Sequence, residues 1–175
     1  KGTKYNEYWG WQDGEKRNSR VKRVVEPIVI LNHDWTIDEN SSLETSIGFQ
    51  FGEMGNSRLG YAGGSNPSPA YYHDLPSYFL ADSNGPDYEG AYLAQENFVN
   101  NGQINWNRIY DANITNNLAN INAAYVLYED RVDDTQITFN SAYLREINDN
   151  IKISTSVNYR NLISDNFAEI TDMLG

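Results

Sequence analysis

The sequence has no cysteine, so neither a disulfide framework nor a thiolate metal site is open to it. It has no run of eighteen apolar residues, which excludes a membrane-spanning helix. A membrane itself is not excluded, because a transmembrane β-strand turns only every second residue toward lipid and leaves a much weaker trace. The opening stretch KGTKYNEYWGW lacks the apolar segment of a signal peptide, and the chain reads as the middle of a longer one. Positive charge is scarce: 13 Lys and Arg stand against 24 Asp and Glu, a net −11. Nucleic-acid binding needs clustered cations and is not expected. The one basic cluster, Glu15 to Arg23, is short and reads as a solvated or lipid-headgroup-facing patch.

Apolar residues make up only 39% of the chain and the mean hydropathy is −0.66, values that would suit a disordered segment. Aromatic residues, at 13%, argue for a folded one, since disordered chains are poor in them.

Residues 43–51, LETSIGFQF, place Leu43, Thr45, Ile47, Phe49 and Phe51 on one side and Glu44, Ser46, Gly48 and Gln50 on the other. This period of two predicts a strand with one apolar face. Residues 27–37 continue the pattern, with Val29, Leu31, Trp35 and Ile37 on one face, shared by a discordant His33. The polar run Asp38 to Ser42 separates the two and predicts a hairpin. A second hairpin is predicted from Thr135–Glu146, with Ile137, Phe139 and Tyr143 aligned, through Asn148-Asp149-Asn150 to residues 151–160. There Ile151, Ile153, Thr155, Val157 and Tyr159 alternate with Lys152, Ser154, Ser156, Asn158 and Arg160.

Between the hairpins lie about seventy residues, 54–124, rich in Gly, Asn, Pro and Tyr. A connection of that length implies a function of its own. Within it, 92–99 and 105–112 are expected as short helices, the second pairing Trp106 with Tyr110 on one face. Residues 66–79, NPSPAYYHDLPSYF, combine three prolines with Tyr71, Tyr72, His73, Tyr78 and Phe79. Prolines lower the entropy lost on ordering, and rings packed on one another give the segment shape and stacking surfaces. Tyr71, Tyr72, Tyr78, Phe79 and Trp106 are the leading ligand-contact candidates, with Tyr88 and Tyr92 behind them.

Short turns at one end of the hairpins and long loops at the other is the asymmetry of outer-membrane barrels, and nine to eleven alternating residues suffice for a tilted strand to cross a bilayer. The blocks EYWGWQDGEKRNSRV (7–21), EPIVILNHDWTID (26–38), NPSPAYYHDLPSYF (66–79) and NGQINWNRIYDAN (101–113) resemble, in order and spacing, the barrel region of large TonB-dependent outer-membrane receptors. The likeness is to the Bacteroidetes type with a carboxypeptidase-regulatory-like extension, and it covers nearly the whole chain.

The resemblance implies an all-β fold: about four strands, in two hairpins with short periplasmic turns, of a much larger antiparallel transmembrane barrel. On this reading 1–22 is extracellular loop and strand top, 23–53 the first hairpin and 54–124 a long extracellular loop. Residues 125–161 form the second hairpin, and 162–175 begin the next loop. Trp35, Ile47, Phe49, Phe51, Tyr143, Ile151, Ile153, Val157 and Tyr159 would face lipid or its aromatic girdles. Glu44, Gln50, Lys152, Asn158 and Arg160 would face the lumen. The implied activity is energised uptake of a siderophore, peptide or glycan into the periplasm. The implied partners are the TonB complex, reached through a plug segment not present in these residues, together with the bilayer and lipopolysaccharide. A starch-utilisation-type surface lipoprotein or other outer-membrane proteins join that set in some members.

Two other classes stay open: a barrel subunit with a structural role in a larger outer-membrane assembly, and a soluble secreted carbohydrate-binding β module. No phosphate loop, nucleophile elbow or dinucleotide fingerprint occurs, and no catalytic residue, cofactor or metal site is assigned. Asp82 to Asp87 only faintly resembles a calcium loop and reads as a turn. Glu129, Asp130, Asp133 and Asp134 read as a solvated loop end, with divalent-cation bridging to lipopolysaccharide as the sharper alternative. Asn40-Ser-Ser42 and Asn113-Ile-Thr115 match the N-glycan pattern, which carries no weight in a bacterial reading.

Overall fold

The computed structural model describes residues 2–81 and 83–175. The fold is mostly β, 51% strand against 20% helix, and its sheets are antiparallel and open, so that no barrel closes among the described residues. A small sheet pairs β1 (Trp9–Gln12) with β2 (Glu15–Asn18). A larger one runs in the order β3 (Lys22–Val25), β5 (Ser41–Gly60), β6 (Val126–Asn148), β7 (Ile151–Asp172), with β4 (Ile28–Asp38) also paired to β5. The helices are a 3₁₀ turn at Tyr72–Asp74, α1 (Pro76–Leu80), α2 (Tyr88–Asn100) and α3 (Trp106–Leu118). The residues fall into two compact units, one of 1–21, 56–129 and 169–175, the other of 22–55 and 130–168.

The second unit consists of paired strands. In β4–β5 the register sets Val29 opposite Phe49, Leu31 opposite Ile47, His33 opposite Thr45 and Trp35 opposite Leu43. Side-chain bonds carry the same parity onward: Thr45 to Ser141 at 3.1 Å among odd residues, Arg160 to Gln136 at 2.7 Å and Lys152 to Glu146 among even ones. Both hairpin turns are Asx turns. Asp38 Oδ1 accepts from the Asn40 N–H at 2.8 Å, and Asn148 Oδ1 from the Asn150 N–H at 3.0 Å. β3 and β4 meet β5 as one interrupted ladder. Pro27 has no N–H to give, and it accepts from the Phe51 N–H at 3.2 Å through its carbonyl. Nearby, Gly52 has φ +154, and a Cβ there would strike the Val25 carbonyl.

The first unit has a core of Ile104, Trp106, Ile109, Ala124, Tyr125 and Leu174. Its hairpin turns on Asp13-Gly14 with φ +51 and +85, the conformation a tight two-residue turn demands. Both long helices are N-capped by side chains: Asp87 accepts from the Gly90 N–H at 2.8 Å, and Asn105 from the Arg108 N–H at 3.0 Å. α3 ends in a Schellman motif with Asn120 at φ +56, its N–H bonded to the Asn117 carbonyl and that of Ile121 to the Asn116 carbonyl. Trp106, Ile109 and Asn113 fall on one helical stripe and are all buried.

Asn113, 1% exposed, fills every hydrogen-bonding position it has. Its Nδ2 donates to the carbonyls of Tyr125 (2.7 Å), Met173 (2.8 Å) and Leu174 (3.2 Å), and its Oδ1 accepts from the N–H groups of Ala124 (2.9 Å) and Tyr125 (3.0 Å). One side chain thereby ties α3 to two distant segments. A residue so enclosed has no free amide to carry a glycan.

Several boundaries differ from those read off the sequence. β4 has the expected length, but the other three hairpin strands are about twice as long as expected: β5 continues to Gly60, β6 begins at Val126 and β7 continues to Asp172, so most of 162–175 is strand rather than loop. Residues 126–134 are also strand, so Glu129, Asp130, Asp133 and Asp134 lie within β6 and not at a loop end. The helices expected at 92–99 and 105–112 are present and longer. Asp87 serves as a helix cap, whereas Asp82 lies outside the described residues.

Replacing Asn113 with Ala leaves several buried backbone groups unpaired and is expected to cost roughly 3–5 kcal/mol of stability. Asn117→Ala, at an exposed position of the same helix, should stay within about 0.5 kcal/mol. Urea unfolding followed by tryptophan fluorescence measures both.

Candidate functional site

Two surfaces carry the residues that the sequence singles out: the faces of the large sheet and the aromatic segment 66–79. On the sheet, the strand pairings bring Trp35, Ile47, Phe49, Phe51, Tyr143, Ile151, Ile153, Val157 and Tyr159 to the same parity and hence the same face. Phe49 and Phe51 stack with ring centroids 5.2 Å apart. Phe49 remains 39% exposed and Ile153 45%, so neither lies in a protein core. Among the described residues, none of the buried hydrophobic ones belongs to the second unit. His33 occupies this face too, opposite Thr45, without any slip of register at Asn32.

Glu44, Gln50, Lys152, Asn158 and Arg160 take the opposite face. Glu44 stands across from Asp34, and these two with Asn32, Ser46 and Asn140 border a cavity of about 280 Å³. Lys152 is ion-paired with Glu146, and the Arg160 Nε donates to Gln136. Like charges held opposite each other, as at Asp34 and Glu44, are tolerable only where water or a counter-charge reaches them.

A feature that the sequence reading missed closes off the apolar face. Arg23 pairs with Glu53, and Arg131 pairs with both Glu53 and Asp133 (2.9 Å to the latter), while the Arg131 guanidinium lies 5.6 Å from the Phe167 ring centre. All five residues are odd-numbered. Following the parity beyond the first nine residues of each strand would have revealed the change from apolar to charged. Asp133 is thus an ion-pair partner, and among the described residues no cluster of acidic and histidine side chains could hold a metal.

The aromatic segment is built by local hydrogen bonds. Asn66 Oδ1 accepts from the Ser68 N–H at 3.0 Å, and the Ser68 hydroxyl accepts from the Ala70 N–H and donates to Glu7 at 2.9 Å. The Asp74 N–H then reaches the Tyr71 carbonyl at 2.9 Å, and Pro76 takes the first position of α1, where its missing N–H is no loss. The result gathers rings: His73 lies 4.2 Å from Tyr72 and 4.4 Å from Tyr78, Tyr71 lies 5.0 Å from Tyr72, and Tyr78 lies 5.6 Å edge-on from Phe79. Tyr72 and Tyr78 are exposed, and Tyr71 and Phe79 half-buried. Tyr88 and Tyr92 are exposed as well, at 74% and 63%.

Trp106 does not belong to this set. It is 0% exposed, its Nε1 donates to the Arg17 carbonyl at 3.2 Å, and the Arg17 guanidinium lies 4.6 Å over its ring. It is the centre of a core, and no ligand reaches it. The spacing that aligned Trp106 with Tyr110 was a core stripe.

Arg17 also donates to Gln12 (2.7 Å), Tyr110 (2.8 Å) and Asp172 (2.5 Å). Partial burial pushes the Arg17 guanidinium down, and its bonds to Asp172 and Tyr110 more than offset this, leaving it above its ordinary value. Partial burial likewise pushes the Asp172 carboxyl up, but the bonds from Arg17 and from the Leu174 N–H prevail and hold it below the ordinary carboxylate range.

The chain matches no protein-family model, no curated protein and no solved structure.

A carboxyl held below its unfolded value adds stability that is complete above that unfolded value, near pH 4, and that fades as pH falls through the folded one. Asp172→Asn should therefore lower the unfolding temperature at pH 7 and bring variant and parent together under strongly acidic conditions. Thermal melts at pH 7, 4 and 2.5 test this. Trp106→Ala should lower stability by roughly 3–5 kcal/mol, a loss read by the same melts.

Proposed function

We propose that the chain is a stretch of the barrel of a TonB-dependent receptor in the bacterial outer membrane, taking up a nutrient bound on the extracellular side. The observation that carries this reading is the second unit's sheet, with one mostly apolar face, an opposite face that is mostly polar despite Ile28 and Ile30, and no buried hydrophobic side chain among the described residues. In water such a face is costly, at about 25 cal/mol for each Å² of apolar surface. Hydrocarbon removes that cost.

The dimensions agree. The apolar stretch runs from Leu43 to Phe51 on β5 and from Ile151 to Tyr159 on β7. Each stretch is nine residues long, within the roughly nine to eleven that a tilted strand needs to cross the hydrocarbon. Rings stand near both limits, Trp35 and Tyr143 toward the turns and Phe51 and Tyr159 at the other end, where girdle residues sit. The ion-paired group of Arg23, Glu53, Arg131 and Asp133 follows, at headgroup level. The polar face with Glu44, Gln50, Lys152, Asn158 and Arg160 would look onto a wet lumen and a plug, and the plug would reach the TonB complex. The free edges of β4 and β7 would pair with further strands, because an open edge cannot persist in lipid. The exposed rings of Tyr72 and Tyr78 offer stacking surfaces on the ligand side.

Because the sequence has no cysteine, single cysteines introduced for spin labels report one position each. In proteoliposomes, labels at Ile47, Phe49 and Ile153 should collide readily with oxygen and poorly with a polar nickel chelate, and labels at Ser46 and Lys152 should do the reverse. Labels at Phe49 and Ile153 shielded from both reagents would place these residues in a dry protein interior and end the membrane reading. In the same system Ile47→Arg should destabilise by roughly 2–4 kcal/mol, with Ser46→Arg much milder.

A further inference from the structure

The sequence holds two Asn-Gly dipeptides, Asn84-Gly85 and Asn101-Gly102. In such a pair the asparagine amide is open to loss without an enzyme. The glycine backbone nitrogen, once it has given its proton to hydroxide, attacks the asparagine Cγ. A C–N bond forms, the Cγ–Nδ2 bond breaks, and ammonia leaves behind a five-membered succinimide. Water then opens the ring at either carbonyl and yields aspartate or isoaspartate. Glycine favours the attack because no Cβ stands beside the nitrogen. Closure also requires that water reach the pair and that the backbone turn to bring nitrogen against Cγ, so local rigidity opposes it.

The two dipeptides sit in opposite surroundings. Asn84 and Gly85 lie in the connection from α1 to α2, where residues 83–88 are all exposed. Gly85 has φ +116, a conformation that glycine alone takes readily, and no atom lies within 4 Å of where its Cβ would be. Ring closure therefore has both solvent and space. Asn101 instead closes the end of α2. Its N–H donates to the Asn97 carbonyl at 2.7 Å and its Nδ2 to Asn97 Oδ1 at 3.0 Å. Gly102 is buried, and its carbonyl accepts from the Tyr5 hydroxyl at 2.6 Å. Two residues on, the Ile104 N–H ties the same strip to the Trp9 carbonyl at 3.1 Å. Turning that backbone would strain all of these bonds together.

We propose that Asn84 is a site of spontaneous modification, converted in the native protein to aspartate and isoaspartate, while Asn101 is spared. The fold accommodates the product. Asp87 is anchored twice, by its N–H to the Phe79 carbonyl at 3.0 Å and by its Oδ1 to the Gly90 N–H at 2.8 Å. Those bonds keep the start of α2 in place, and the loop before it takes up the extra main-chain atom of isoaspartate. Each conversion adds one negative charge to a stretch, 59–107, that has no Lys or Arg to balance it. The surface beside the exposed Tyr88 thus grows more acidic as a copy of the protein ages. Neither a membrane nor a ligand enters this chemistry, so it holds whether or not the chain belongs to a receptor.

The test is to incubate the purified protein in detergent in alkaline buffer made with oxygen-18 water, beside a sample unfolded in concentrated urea. Electron-transfer mass spectrometry of the tryptic digest then reads amide loss, label uptake and isoaspartate at each position. No Lys or Arg separates Arg58 from Arg108, so both dipeptides are counted within one peptide. In the native protein Asn84 should lose its amide roughly tenfold or more faster than Asn101. In urea, where the folded surroundings are gone, the two should react at similar rates. Tyr5→Phe, which removes the hydroxyl holding Gly102, should speed the reaction at Asn101 severalfold and leave Asn84 as it was. Should that variant fail to fold, the native-to-urea comparison on the parent decides the matter alone. Asn84 reacting no faster than Asn101 in the native protein, including the case in which neither reacts, overturns the proposal. So does a preference for Asn84 that persists unchanged in urea, since it would then owe nothing to the fold.

Discussion

The second unit is governed by one constraint: its apolar face has no protein beneath it. Val29, Leu31 and Trp35 on β4, Ile47, Phe49 and Phe51 on β5, and Ile151, Ile153 and Val157 on β7 all stay substantially exposed. Each would ordinarily anchor a core. Backbone hydrogen bonds hold the strands together, but they do not compensate water for contact with so many apolar groups. A sheet of this kind needs a cover that makes no hydrogen bonds, and the cover must be as tall as the apolar stretch. On the proposed membrane reading lipid meets both conditions, and the charged group of Arg23, Glu53, Arg131 and Asp133 would mark the height at which it gives way to headgroups and water.

The first unit solves the opposite problem. Its sequence is poor in aliphatic residues, and its core is small, so polar groups share the task of holding it. Asn113 satisfies five backbone partners while buried. Arg17 stacks on Trp106 and fans out to Gln12, Tyr110 and Asp172. Such networks fix a single arrangement because every member is lost if one moves. They also allow a segment crowded with glycine, asparagine and proline to hold a ring cluster in a defined arrangement. Two kinds of stability are therefore found in one chain. In the sheet, on the proposed membrane reading, stability would be lent by the surroundings; in the unit with α2 and α3, it comes from directional bonds and a compact hydrophobic centre.

Period-two alternation in 27–37, 43–51 and 151–160 determined the strands, their turns and which residues share a face, since geometry allows a strand no other distribution of its side chains. Charge and the absence of cysteine narrowed the chemistry just as directly. Strand length was not legible: beyond Phe51 and Tyr159 polar and charged residues occupy both faces, so alternation fades while the ladder continues to Gly60 and Asp172. Tertiary structure alone decided the fate of Trp106, because a ring at helical spacing looks the same whether it faces a ligand or a core. It alone revealed Asn113 as the link between α3 and residues 124–125 and 173–174. The link depends on which distant backbone groups come within reach of one side chain, and that is a property of the folded chain, not of any local run of residues.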